Sequence, residues 1–171
     1  MRVDVLGVGF DNLTLDEAVA RGMELVCGEG THYVVTPNPE IVEVCRENPA
    51  ARDAVNGADL VLPDGVKGAA MLGTPLKEKT PGIEFAAGLM GKMAQQGKSL
   101  YLLGAKPGVA ELAGQRLTQR YPGLRSAGTH DGYFKEDGPV VEAIRQSGAD
   151  VVFVCLGAPK QELWMAKNGS A

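Results

Sequence analysis

Aromatic side chains are scarce: four Phe, four Tyr and one Trp make up 5% of 171 residues. This excludes a surface of stacking rings of the kind that grips single-stranded nucleic acid. A formal net charge of −4 likewise excludes a broad phosphate-binding face. Cysteine is scarcer, at three. Cys27, Cys45 and Cys155 are an odd number without metal-like spacing. The first two fall in helical patterns and the third in a strand, so buried free thiols are expected. The two histidines, His32 and His130, are too far apart in sequence to suggest a ligand pair. No apolar run approaches the ~20 residues that span a bilayer. The opening MRVDVLGVGF lacks the charged and apolar regions of a signal peptide. A cytosolic chain is expected.

What is present is enough for a core: 44% hydrophobic and 22% charged residues over a length that suits one compact domain. Strand and helix patterns alternate. RVDVL (2–6) is a strand and 14–27 an amphipathic helix. HYVVT (32–36) is a second strand. In Pro37-Asn38-Pro39-Glu40, Asn38 caps a helix, Pro39 takes its first position and Glu40 suits its dipole. Asn48-Pro49 repeats the device in a short helix closed by Gly57. Residues 59–62 form a third strand. A helix over 83–96 ends at Gly97, and SLYLL (99–103) is a strand followed by a glycine-bearing turn and a helix to about Tyr121. Residues 124–127 read as a weak strand, 139–147 as a helix and DVVFVC (150–155) as a strong strand, and Pro159 starts a last helix. This rhythm predicts an α/β fold with a mostly parallel, Rossmann-like sheet and helices on both faces. The stretch 73–81 is polar and rich in turn formers, and reads as the most mobile internal segment.

In such sheets ligands gather beyond the carboxyl ends of the strands. Thr36 and Asn38 follow the second strand, and Asp64 the third. The turn Gly104–Gly108 follows the fourth. Thr129, His130 and Asp131 follow the fifth, and Gly157 and Gln161 the sixth. Asp64 lies in VLPDGV, where Pro-Asp-Gly is ordinary turn chemistry. The competing reading is a carboxylate held at a strand end for proton transfer. LLGAKPG presents free amides and a helix dipole suited to phosphate, though it is not GxGxxG. Gly7-x-Gly9 is not followed at once by a helix and reads as a turn. In CLGAPKQEL, Gly157 allows close backbone approach and Gln161 occupies the first turn of a helix that Pro159 opens.

Together, TPNPEIV (36–42), LPDG (62–65), KEKTPGIEF (77–85), LYLLGAKPGVAE (100–111), GTHDGYF (128–134) and LGAPKQELW (156–164) resemble the WecG/TagA/CpsF family of bacterial glycosyltransferases, in the family's order and over nearly the whole chain. The resemblance implies one catalytic domain over 1–171 that performs an inverting transfer. It would move N-acetylmannosamine from UDP-N-acetylmannosamine to undecaprenyl-diphosphate-linked N-acetylglucosamine, at the cytoplasmic membrane face. This is an early step of wall teichoic acid linkage-unit synthesis. No metal and no cofactor are implied. Asp64 matches the candidate base, and Thr36, Asn38 and Gln161 match residues lining the site. Backbone amides at Gly104, Gly108 and Gly157, with Gln161 and a cation, would stabilise the departing diphosphate. The uridine diphosphate would lie against Gly104–Gly108 and the Asp131 loop.

Two departures stand out. Where family members usually carry a loop arginine, this chain has Lys79, which keeps the charge but loses the bidentate fork. The family also continues past the tryptophan matching Trp164, into a basic C-terminal appendage for membrane contact, implied by resemblance and expected to lie outside this chain. Other readings remain: transfer of the corresponding uronic acid or another UDP-sugar, a nicotinamide-dependent oxidoreductase, and a non-catalytic nucleotide-sugar sensor. A homo-oligomer is compatible with all of them.

Overall fold

A computed structural model describes residues 1–65 and 76–170. They form two compact units, one of residues 1–89 with 158–170 and one of residues 90–157.

The first unit opens with a hairpin where a single strand is expected. β1 (Arg2–Val5) pairs antiparallel with β2 (Val8–Asp11), in a register running from Arg2–Asp11 to Val5–Val8. Its two-residue turn places Leu6 at φ 53° and Gly7 at φ 89°. Positive φ at both positions is the twist that hairpins require. Gly7 is therefore the turn, as read, but Gly9 belongs to the returning strand. Val3, Val5, Val8 and Phe10 are buried by the alternation of the two strands. The hairpin is tied down by polar side chains. Asn56 Nδ2 donates to the Gly7 carbonyl (2.8 Å), while Asn56 Oδ1 accepts from the Gly9 amide (3.0 Å). Arg2 donates to the carbonyls of Asn56 and Ala58 and pairs with Asp11. The second Asp11 oxygen accepts from the Val61 amide at 2.8 Å.

Helix α1 (Leu15–Cys27) starts from a capping box. Thr14 Oγ1 accepts from the Glu17 amide (3.2 Å), and the Glu17 carboxylate accepts from the Thr14 amide (2.9 Å). β3 (Val34–Val35) and β4 (Leu60–Val61) pair in parallel. Between them lie α2 (Pro39–Glu47) and α3 (Pro49–Asn56), started as expected: Asn38 Oδ1 accepts from Ile41 N (2.9 Å) and Asn48 Oδ1 from Ala51 N (3.1 Å). Val8, Phe10, Val35, Ile41, Cys45, Val55 and Val61 share one apolar cluster. α4 (Gly82–Gln95) crosses α1 closely. A Cβ on Gly22 would come within 3.0 Å of the Phe85 ring, and one on Gly88 within 2.8 Å of a Val19 methyl.

In the second unit β5 (Ser99–Gly104) runs between β6 (Arg125–His130) and β7 (Val151–Cys155), parallel to both. The helices are α5 (Val109–Arg120) and α6 (Asp137–Ser147). β6 runs three residues past the weak strand expected from sequence. Gly128, at φ 154°, lies against the Tyr101 ring, where a Cβ would come within 2.8 Å. Asp150 fixes the start of β5, accepting from the Ser99 amide (2.8 Å) and hydroxyl (3.1 Å). The last helix, α7 (Lys160–Asn168), belongs to the first unit, where Met165 packs on the apolar cluster.

The α/β class and its parallel pairing are as expected. The thiols are not: Cys45 is buried, but Cys27 and Cys155 are exposed because their positions fall at element ends. Among the described residues no helix is long and apolar enough to cross a membrane.

Two predictions follow from the fold. His32 Nδ1 faces Asp59 Oδ1 at 3.0 Å and Nε2 faces the Glu29 carbonyl at 2.9 Å. The Asp59 hydrogen bond, then the Glu29 carbonyl, raise the His32 pKa above its ordinary 6.5. A raised histidine contributes stability that is fully present below its unfolded value and lost as pH rises through the folded one. Melting curves between about pH 5.5 and 8.5 should therefore show a loss toward high pH that H32Q removes. In the second unit, Gly104 sits at φ 137°, and a Cβ there would overlap the Cys155 carbonyl. Gly104→Ala should cost about 2–4 kcal/mol in urea unfolding.

Candidate active site

The site in the first unit begins where β3 and β4 end. The parallel pairing continues beyond both strands: Leu62 N donates to the Val35 carbonyl (2.9 Å) and Asp64 N to the Pro37 carbonyl (3.2 Å). TPNP and LPDG are therefore neighbours. Pro37 and Pro63 are fully buried between them. Pro63 points away from this pairing, so its missing N–H costs nothing there. Its carbonyl accepts from Thr80 N at 2.9 Å, and Thr80 itself is fully buried.

Asp64 then turns toward α4. Its Oδ2 accepts from the Gly82 amide, the first of the helix, at 3.1 Å. The carboxylate thus satisfies one of the donors that every helix N-terminus leaves open. Gly65, at φ 72°, makes the turn that directs it. Thr36 converges on the same point: a Cβ on Gly82 would come within 2.8 Å of Thr36 Oγ1. Asp64 and Thr36 are both half-buried. Asp64 Oδ1 has no hydrogen bond among the described residues. Asp64 thus lies in a turn, with one oxygen bound to the start of α4.

The other first-unit residues are placed differently. Asn38 spends its Oδ1 on capping α2, which leaves its amide N–H groups as the available donors. Lys79 is exposed, on a stretch anchored on both sides. Lys77 N donates to Asn12 Oδ1 (2.7 Å), Glu78 Oε2 accepts from Leu15 N (2.7 Å), and Lys77 Nζ lies 3.5 Å from Glu17. These bonds tie Lys77 and Glu78 of the 73–81 stretch to residues 12–17, while 73–75 lie outside the described residues. Gln161, in the first turn of α7, donates from Nε2 to Glu162 Oε1 at 3.2 Å.

Sequence reasoning missed Glu162, Gly82 and Thr80. Glu162 is 2% exposed, and burial pushes its carboxyl pKa up. An acid in a first helical turn ordinarily reads as a solvated complement to the dipole, so nothing in GAPKQE announced its burial. Gly82 had a signal, because Thr-Pro-Gly before an apolar run marks a helix start.

The second unit gathers the remaining candidates. Gly104 passes against the Cys155 carbonyl, Ala105 follows at φ 62°, and Gly108, at φ 86°, caps α5 without a side-chain bond. The first α5 amide, Val109 N, donates to the Lys106 carbonyl at 3.1 Å. Gly132 N donates to the Ala105 carbonyl (2.9 Å), joining the loop after β6 to this turn. A Cβ on Gly132 would also touch Leu156 at 3.4 Å, so the segment before Gly157 meets them. Asp131 Oδ1 accepts from Tyr133 N at 2.8 Å, and its carbonyl faces His130 Nδ1 at 2.7 Å. The structure therefore brings together Thr36 and Asp64 in one unit. In the other it brings together the Gly104–Gly108 turn, the Asp131 loop and the approach to Gly157.

Residues 3–171 match the family described as "Glycosyl transferase WecG/TagA/CpsF family". Similar relatives include proteins of Staphylococcus aureus strains NCTC 8325 / PS 47 and COL, named N-acetylglucosaminyldiphosphoundecaprenol N-acetyl-beta-D-mannosaminyltransferase. Each is 36% identical over 170 residues, covering 96% of this chain. The chain spans 66% of the length of these relatives. A match over nearly all of its residues makes this chain a member of the WecG/TagA/CpsF glycosyltransferase family.

Proposed function

We propose that the chain carries the catalytic residues of an inverting transferase that moves N-acetylmannosamine from UDP-N-acetylmannosamine to undecaprenyl-diphosphate-linked N-acetylglucosamine. The observation that carries this reading is the Asp64 carboxylate, fixed through one oxygen by the Gly82 amide beside the Thr36 hydroxyl. Inversion needs a base that takes the acceptor hydroxyl's proton as its oxygen attacks the anomeric carbon. The bond from that carbon to the diphosphate breaks on the opposite face, and UDP leaves with the electron pair. Asp64 Oδ1 is the acceptor for that proton, and Oδ2 keeps the group in place.

The leaving diphosphate gains one negative charge as the bond to the anomeric carbon breaks, and needs donors prepared in advance. The backbone of the Gly104–Gly108 turn and Gly157 are candidate donors for this charge, as are Gln161, the Asn38 amide and the Lys79 ammonium. The names of the relatives support the sugar and the acceptor, and wall teichoic acid linkage-unit synthesis is the corresponding process. Work at the cytoplasmic membrane face fits a lipid-linked acceptor.

D64N retains an oxygen that can accept from Gly82 but cannot take the proton. Turnover, read as UDP release, should fall by on the order of 10²–10⁴, with UDP affinity and melting temperature little changed. Near-normal turnover would return Asp64 to a purely structural role. A second test concerns the membrane. With net charge −4, the 171-residue chain should not sediment with anionic vesicles. Adding the basic C-terminal segment expected of the family should raise vesicle binding by about 1 kcal/mol per Lys or Arg near the surface. Equal vesicle binding with and without that segment would give the membrane face to residues 1–171.

A further inference from the structure

Glu162 has no part in the proton transfer or in the leaving-group contacts, yet it is the most unusual ionisable group in the first unit. No other Asp, Glu, Lys or Arg among the described residues is buried. Its Oε2 is out of reach of solvent and has no hydrogen-bond partner among the described residues. Its Oε1 accepts from Gln161 Nε2. From α2 it faces the thiol of Cys45, which is fully buried and whose pKa is raised by that burial and then by Glu162. From α3, the Arg52 guanidinium acts on Cys45 in the opposite sense, and no salt bridge joins it to Glu162 among the described residues. Were filling space its only task, an apolar side chain would fill the position without an orphaned oxygen.

We propose that Glu162 is a positioning residue, whose buried carboxyl group holds the neighbouring Gln161 amide in one orientation for contact with the diphosphate. Adjacent side chains on a helix ordinarily diverge. The bond between these two therefore requires Gln161 to fold back along α7, which fixes one Nε2 hydrogen inward and leaves the other N–H and Oε1 available. Burial favours the neutral form of this carboxyl group, while the Gln161 hydrogen bond favours the charged one. Burial raises its pKa more than its own backbone amide and Gln161 lower it. As a carboxylate, it would place a bare charged oxygen in the interior. The inference rests on the reading of Gln161 as a phosphate-facing residue, and the test separates the two.

The test measures UDP affinity calorimetrically on the 171-residue chain for Q161A, E162L, E162Q and Q161A/E162L. Loss of one hydrogen bond to a charged group should weaken UDP roughly tenfold in Q161A. E162L should weaken it by the same factor, and the double variant should be no worse than either single one. E162Q, which can still accept from Gln161, should restore affinity to within about threefold of the unsubstituted chain. If E162L does not fold, E162D withdraws the carboxyl by one methylene and should show the same loss. Neutrality has its own readout. A carboxyl whose folded pKa lies above its unfolded value of 4.5 lowers stability as pH rises from there to the folded value. Melting curves should show that component, and E162Q should abolish it. E162L binding UDP normally while Q161A binds weakly would overturn the positioning role alone. Normal UDP binding by Q161A, or no binding by the unsubstituted chain, would overturn the reading of Gln161 and this inference with it. E162Q as weak as E162L, or no loss of stability across that window, would overturn the neutral acid.

Discussion

One hydrogen bond, from the Gly82 amide to Asp64, joins three segments that are far apart in sequence. It closes the turn after β4, starts α4 and brings both against Thr36 at the end of β3. A hydrogen bond to a charged group nets about 1.5–3 kcal/mol, and its loss leaves a helix-end donor open. The same carboxylate is the base in the proposed transfer. Structure and chemistry compete for it only in part, since one oxygen serves the helix and the other is available. Glycine is required at 82 for the same economy of space, because a side chain there would strike the Thr36 hydroxyl.

The first unit needs such bonds because its parallel strands are very short. β3 and β4 contribute two residues each, and a few backbone bonds beyond them continue the pairing. Short polar side chains extend it. Asp11 accepts from β4, Asn56 grips both ends of the β1–β2 turn, and Asn12 and Glu78 hold the stretch before α4. Each is a local side chain taking over a backbone partner, the chemistry that also lets Asn and Asp compete with regular structure elsewhere. Lys77 and Glu78, just before Lys79, are tied to residues 12–17 by these contacts, in a stretch whose composition is that of a mobile loop.

What could be read in the sequence follows the range of the interaction responsible. The Asn38 and Asn48 caps act within three residues, and both helices begin where the Asn-Pro pairs place them. The Gly148 terminus of α6 is as local. The hairpin was hidden because Leu6, a residue that disfavours positive φ, takes half of a turn ordinarily given to Asn or Gly. The length of β6 was hidden because Gly128 interrupts its pattern, and only pairing with β5 carries the strand through. For the site, the placement of Asp64 and Thr36 was legible, since strand ends collect ligands. That Glu162 is buried depends on packing by distant residues, which local pattern does not carry.

The two units differ in how they present their candidate groups, and the difference suits the two halves of the proposed transfer. In the second unit the candidates, Asp131 apart, are glycines and main-chain amides: Gly104 against the Cys155 carbonyl, Gly108 opening α5, and Gly132 bound to Ala105. Backbone N–H groups cannot move a proton, but they are rigid, uncharged donors aimed without side-chain entropy, which is what a diphosphate asks for. In the first unit the candidates are side chains, and the central one is a carboxylate that can change its protonation state. A proton must leave the acceptor hydroxyl while charge accumulates on the leaving phosphate, and no single kind of group does both well. An arrangement built from amides alone would bind UDP without activating an acceptor. One built from Asp64 alone would remove a proton with nothing prepared to receive the charge. The proposed transfer therefore calls for both kinds of construction, and this chain contains both.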